Sequence, residues 1–124
     1  MLERIEAVLA ARLPWYVVAA GGKPVGYAYA SPWKARPAYR WSAEVTVYLD
    51  PTCAGRGLGK RLYGELLAAL KSQGMHAAIG GIALPNEPSV GLHEKCGFRK
   101  VAHFAEVGFK FGRWIDVGYW ERLL

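Results

Sequence analysis

Apolar positions follow two rhythms along the chain. Leu2, Ile5, Val8, Leu9 and Leu13 recur at steps of three and four, which predicts an amphipathic helix over the first dozen residues, stopped by Pro14. "WYVVAA" and "VGYAYASPW", joined by the turn-forming "GGKP", predict a β-hairpin whose second strand ends near Pro32. After the polar loop "KARPAY", "RWSAEVTVYLD" alternates, with Ala43, Val45, Val47 and Leu49 on one face and Glu44, Thr46 and Tyr48 on the other.

Leu58, Leu62, Leu66 and Leu70 then repeat at intervals of four, predicting a helix that Gly74 caps. "HAAIGGIAL" reads as a buried strand. "PNEPSVGLHEKCGF" reads as a short helix with Asn86 as N-cap and Gly97 as terminator. Residues 98 to 107 and 114 to 123 predict an antiparallel pair around "GFKFGR". The order α, β, β, β, α, β, α, β, β implies an α+β fold with a mixed, mostly antiparallel central sheet and helices on both faces.

With 124 residues, one domain covering 1–124 is expected, built on a single core. No apolar run is long enough to span a bilayer, and the amino terminus lacks the continuous apolar centre of a secretory signal. Cys53 and Cys96, far apart and without metal-ligand spacing, imply neither a disulfide framework nor a zinc site. A cytoplasmic protein without metal or membrane partner is expected. The net charge of +6 suits a phosphate-bearing ligand. Because the basic residues are scattered and no RNA-binding aromatic signature is present, a small anionic ligand is favoured over nucleic acid.

The candidate chemistry begins at "AGRGLG". Gly55, Gly57 and Gly59 precede a helix whose first amides lack internal partners, and Arg56, Lys60 and Arg61 surround them, as a diphosphate cradle requires. Neither the Walker spacing nor the dinucleotide Gly-x-Gly-x-x-Gly spacing is present, and a plain strand-to-helix turn is the competing reading.

"VYLDPTCAGRGLGKRLYGELL" followed by "LPNEPSVGLHEKCGF" resembles the GNAT family of N-acetyltransferases. In that family a Gln/Arg-x-x-Gly-x-Gly/Ala motif holds the pyrophosphate of acetyl-CoA, and Ala54 to Gly59 match it, with Ala54 in place of the usual Gln or Arg. Adding "AYRWSAEVTVYL" and "GFKFGRWIDVGYW" narrows the resemblance to the phosphinothricin and methionine sulfoximine acetyltransferases. By that resemblance Val47, Tyr48 and Leu49 border the pantetheine arm, and Gly55, Arg56, Gly57, Leu58, Gly59 and Lys60 hold the phosphates. Asn86 contacts the arm, and Glu44 is the general base. A homodimer is expected. The resemblance also implies a strand and helix ahead of the segment similar to "LERIEAVLAARLPW", so the chain is expected to be amino-terminally shortened relative to the family.

Glu44 stands among apolar neighbours, where desolvation would make a carboxylate a better base; a solvent-facing carboxylate or a partner for Arg40 is the alternative. His93 falls where many members of the family place a Tyr, and is either a general acid or a structural histidine. Cys96 has no evident base beside it for an acyl-enzyme route. Lys34, Ala35, Arg36 and Tyr39, with Val45 and Thr46 beside Glu44, are the candidate acceptor site, the basic loop suiting a carboxylate or phosphinate. The expected function is acetyl transfer to the amine of a small amino-acid analogue, the alternatives being a protein or polyamine amine, or a coenzyme-binding module with little catalysis. Trp33, Tyr39, Trp41, Phe109, Phe111, Trp114 and Trp120 are expected to pack in core and hairpin, with two or three of them walling a pocket.

Overall fold

The structure is a computed structural model that describes the backbone of residues 3–10 and, with their side chains, residues 13–53 and 55–124. Among the described residues, seven strands form one sheet: β1 (Glu3–Ala10), β2 (Leu13–Ala20), β3 (Lys23–Pro32), β4 (Ser42–Leu49), β5 (Ala77–Leu84), β6 (Arg99–Lys110) and β7 (Arg113–Leu123). Their spatial order is β1-β2-β3-β4-β5-β7-β6. Every neighbouring pair is antiparallel except β4 and β5. The two helices are α1 (Leu58–Ser72), which makes the crossover between the parallel strands, and α2 (Glu87–Lys95).

The α1 stripe lies as its spacing predicts. Leu58, Leu62, Leu66 and Leu70 are buried against Val18, Ala28, Ala30, Ala43 and Val45. Alanines on β3 and β4 leave room for the helix to approach the sheet closely. Both helices end with paired carbonyl-capping bonds around a left-handed glycine. At α1, Met75 N–H reaches the Leu70 carbonyl at 3.0 Å beyond Gly74, whose φ is +84°. At α2, Phe98 N–H reaches the His93 carbonyl at 3.0 Å beyond Gly97, φ +88°. Phe98 itself is buried, so the second cap also anchors the turn into the core.

Three expectations change. Glu3–Ala10, expected within a helix, form β1, paired from Glu3↔Ala20 to Ala10↔Leu13, while Leu2, Ala11 and Arg12 lie outside the described residues. An open β2 edge offers a row of backbone donors and acceptors, and pairing with it overrides a local helical preference. The helices cover one face rather than both: α2 meets α1 through Tyr63 and His93, on the side of the sheet that buries Ala78 and Ile82. With the expected first helix a strand, no described helix lies on the opposite face. Finally, the turn between β6 and β7 is only Phe111–Gly112, both at positive φ, because Gly108–Lys110 and Arg113 pair within the ladder.

The face without helices carries an aromatic row. Trp15 stacks on Tyr29 at 4.2 Å between ring centroids, and Tyr27 on Tyr48 at 5.4 Å. No described helix is long and apolar enough to cross a membrane.

Candidate active site

Strands β4 and β5 part company. Their ladder holds only Ser42↔Ala77, Ala43↔Ala78 and Glu44↔Ile79, although β4 continues to Leu49 and β5 to Leu84. Beyond Glu44, β4 pairs only with β3 on its other side, so its β5-facing amides and carbonyls border a wedge-shaped opening. The wedge widens toward the glycine loop and closes at Glu44.

At the wide end, Asp50 fixes the chain as it leaves β4. Its Oδ1 accepts from Thr52 N–H at 2.9 Å and from Thr52 Oγ1 at 2.8 Å, which holds its carboxyl below the usual aspartate range. Gly55 and Gly57 follow with φ of +81° and +75°, backbone that L side chains rarely adopt, and nothing lies within 4 Å of where a Cβ would project from either. Gly57 precedes the first turn of α1. No side chain caps that turn and no acidic residue occupies it, while Lys60 and Arg61 lie within it. These are the features of an anion cradle, and a diphosphate fits them. Leu58 and Gly59 are buried, Gly59 against Leu92, so their part in the cradle is made by main-chain amides. Arg56 is exposed at the rim. Ala54 lies outside the described residues.

Along the wedge, Val47 and Leu49 are half-buried toward the helices, whereas Tyr48 is exposed on the opposite face against Tyr27. Asn86 accepts from Ser89 N–H at 3.2 Å through its side-chain oxygen, as the N-cap of α2. Glu44 is half-buried on the face without helices, between the core residues Ala43 and Val45. Arg40 is engaged elsewhere: its Nη1 donates to the Pro37 carbonyl at 2.9 Å and its guanidinium lies over Trp41.

Across the sheet, register aligns Glu44 with Ile79 and Ile79 with Glu121, so two carboxylates flank Ile79 on one face. Beside them is a cavity of about 410 Å³ walled by Trp33, Lys34, Ile79, Phe104, Tyr119 and Glu121. Tyr119 meets both Trp33 and Phe104 edge to face at 5.7 and 5.8 Å. Of the expected acceptor residues, Lys34 lines this cavity, its ammonium 4.8 Å from the centre of the Trp33 ring. Thr46 lies on the same face, opposite Tyr29. Val45 does not: its side chain is in the core, and only its backbone borders the wedge. Ala35, Arg36 and Tyr39 are exposed on the connection to β4, where Tyr39 N–H closes a turn on the Arg36 carbonyl at 3.0 Å.

Sequence reading missed Glu121, Phe104 and Tyr119 as site residues, because only the β5-β7-β6 strand order brings them beside Glu44. It also missed Tyr63. His93 is buried with both ring nitrogens engaged: Nδ1 lies 2.7 Å from the Ser89 carbonyl and Nε2 lies 2.7 Å from Tyr63 Oη. A carbonyl only accepts, so Nδ1 carries the proton and Nε2 takes the Tyr63 hydroxyl proton in hydrogen bond. Burial lowers the His93 pKa, opposed by the Ser89 contact, and burial raises that of Tyr63, aided by Cys96. Of the two readings of His93, this geometry favours the structural one.

Gly80 and Gly81 let rings approach β5 from both faces where the wedge begins. A Cβ on Gly80 would lie 2.8 Å from His93 Nε2, and one on Gly81 would lie 3.0 Å from Tyr119 Cε1.

Comparison with known proteins accords with this architecture. The chain is 44% identical to a phosphinothricin N-acetyltransferase of Streptomyces viridochromogenes over 98% of its own length and 64% of the relative's. It is 51% identical to another protein of that name from Streptomyces coelicolor, over 81% of its length and 58% of the relative's. The chain thus spans less than two thirds of these relatives. The crystal structure of a GNAT superfamily phosphinothricin acetyltransferase from Sinorhizobium meliloti, in complex with acetyl-CoA, superposes with a TM-score of 0.86 at 36% identity, covering 90% of this chain and 61% of that one. The acetyltransferase (GNAT) family profile matches residues 2–98, and the chain belongs to that family.

Proposed function

We propose that this chain carries the coenzyme site and general base of an N-acetyltransferase that uses acetyl-CoA to acetylate a small amino-acid analogue such as phosphinothricin or methionine sulfoximine. The observation that carries the reading is the wedge between β4 and β5, which runs from the glycine cradle to Glu44. Five strand steps separate Glu44 from Leu49, on the order of 17 Å, a length that suits an extended arm.

When bound, acetyl-CoA supplies the acetyl group as a thioester that a neutral amine attacks directly. The amides of the first turn of α1, with Arg56 and Lys60, hold its diphosphate. The β5-facing N–H groups of β4 are donors to a carbonyl oxygen placed in the wedge. Glu44 removes a proton from the acceptor's ammonium, directly or through a water, because an ammonium has no lone pair to offer. Lys34 pairs with the acceptor's acid group. A leaving thiol with a pKa near ~8.5 needs little help from an acid, and His93 serves to position α2 rather than to donate a proton.

The presence of Glu121 beside Glu44 favours a second reading, in which the acceptor is a polyamine or protein amine whose extra positive charge Glu121 receives. A homodimer is part of the proposal, supported by the exposed Val107, Phe109, Phe111 and Trp114 on the β6-β7 hairpin. Sedimentation velocity tests it. A cytoplasmic setting accords with two buried free cysteines, Cys53 and Cys96.

The test of function is thiol release from acetyl-CoA with phosphinothricin, methionine sulfoximine and a polyamine in turn, for the parent and Glu44→Gln. The expected result is turnover with the amino-acid analogues and a kcat lower by about a hundredfold or more in Glu44→Gln, with coenzyme binding retained. Coenzyme binding without turnover on any acceptor would instead make the chain a binding module.

A further inference from the structure

Three basic side chains from three separate elements meet in the groove between α1 and α2. Lys60 comes from the first turn of α1, Lys95 from the last turn of α2, and Arg122 from the end of β7. With Gly64, Leu67, Cys96 and Gly97 they line a cavity of about 400 Å³ with no carboxylate in its wall among the described residues. Arg122 is held in place by its own contacts. Its Nη1 donates to the Cys96 carbonyl at 2.7 Å, and its stem is so close to Gly97 that a Cβ there would lie 3.4 Å from Arg122 Cδ. Arg122 and Lys60 both act on the Cys96 thiol, opposing the rise that burial imposes, so their charges converge on one buried sulfur.

Two of these cations have a local explanation, since the carbonyl end of α2 attracts Lys95 and Arg122. Lys60 has none, because the amino end of a helix disfavours a cation. Three like charges around one concavity repel, and an anion between them would offset that repulsion. Lys60 also joins two sites: its main chain belongs to the diphosphate cradle and its side chain to this cavity.

We infer that the cavity receives the ribose 3′-phosphate of coenzyme A, the third phosphate of that molecule, one sugar away from the diphosphate. The inference rests on the coenzyme reading above and adds the group that sets how tightly the nucleotide end is held.

The test is calorimetric binding of acetyl-CoA and of 3′-dephospho-acetyl-CoA to the parent, Lys95→Glu and Arg122→Gln. The parent should prefer the full coenzyme by about tenfold, as a phosphate shared among charged donors implies. In both variants that preference should fall to about twofold or less, as for an exposed ion pair, with affinity for the dephospho form little changed. Lys95 is exposed, so its replacement leaves the core intact. Equal affinity of the parent for both ligands, or an undiminished preference in Lys95→Glu, overturns the third-phosphate site and leaves the coenzyme reading standing. Failure of the parent to bind either form overturns both.

Discussion

His93 Nε2 and Tyr63 Oη, thirty residues apart in sequence, lie 2.7 Å from one another and tie α2 to α1 directly behind Gly80. Tyr63→Phe removes the donor and leaves Nε2 buried without a partner, at a cost of about 1–3 kcal/mol. Chemical denaturation should show a lower midpoint with an unchanged m-value. Gly80→Ala should act in the same direction, because its Cβ would press on the same nitrogen. An unchanged midpoint in both variants would mean that the pair does not hold the helices together.

The same histidine sets a pH dependence. Burial lowers its pKa in the folded chain from the usual 6.5, so below that value the unfolded chain binds a proton that the folded chain resists. Stability from this group is full above pH ~6.5 and is lost as the pH falls toward the lowered folded value. Melting temperature should therefore drop between about pH 7.5 and 5.5, and His93→Gln should flatten that drop. A parent and variant with parallel profiles would contradict the assignment.

Lys60 should give opposite signs in stability and in binding. In the first turn of α1 a carboxylate suits the helix dipole, so Lys60→Glu should stabilise the free protein by about 0.3–1 kcal/mol. The same substitution replaces a cation between the glycine loop and the basic cavity with a repelling group, and acetyl-CoA affinity should fall by about tenfold or more. Thermal melts and calorimetry on one preparation read both effects. Loss of stability together with unchanged affinity would argue against an anion at this helix end.

Legibility in the sequence followed the range of the interactions. The α1 stripe, the alternation of β4, the Asn86 cap and the Gly57 bend are set by neighbours a few residues away, and each lies where its spacing places it. Residues 3–10 carry helical spacing yet form a strand, because the edge supplied by β2 decides their conformation and edge pairing leaves no trace in local periodicity. Parity along β4 put Glu44 on the face away from Ala43 and Val45. What that face holds could not be read, since Ile79, Phe104, Tyr119 and Glu121 arrive beside it only through the non-sequential order β4-β5-β7-β6. His93 was legible as a candidate, but its role depends on Tyr63, thirty residues upstream.

Acceptor choice should turn on the two charges that share the cavity beside Glu44. Lys34 is exposed and lies over Trp33, and Glu121 is half-buried across Ile79 from Glu44. A ligand with a free amine and a phosphinate or carboxylate needs the first charge, whereas a polyamine needs the second. Lys34→Glu should therefore raise KM for an amino-acid analogue by about tenfold while changing kcat little, since the lost contact is made equally before and during the reaction. Glu121→Gln should leave that KM near the parent value and weaken any polyamine turnover. Steady-state kinetics with both acceptors checks the pair of substitutions. Were Lys34→Glu to leave the amino-acid KM unchanged while Glu121→Gln raised it, the acceptor would have to enter with its positive group toward Glu121, and the polyamine reading would take precedence.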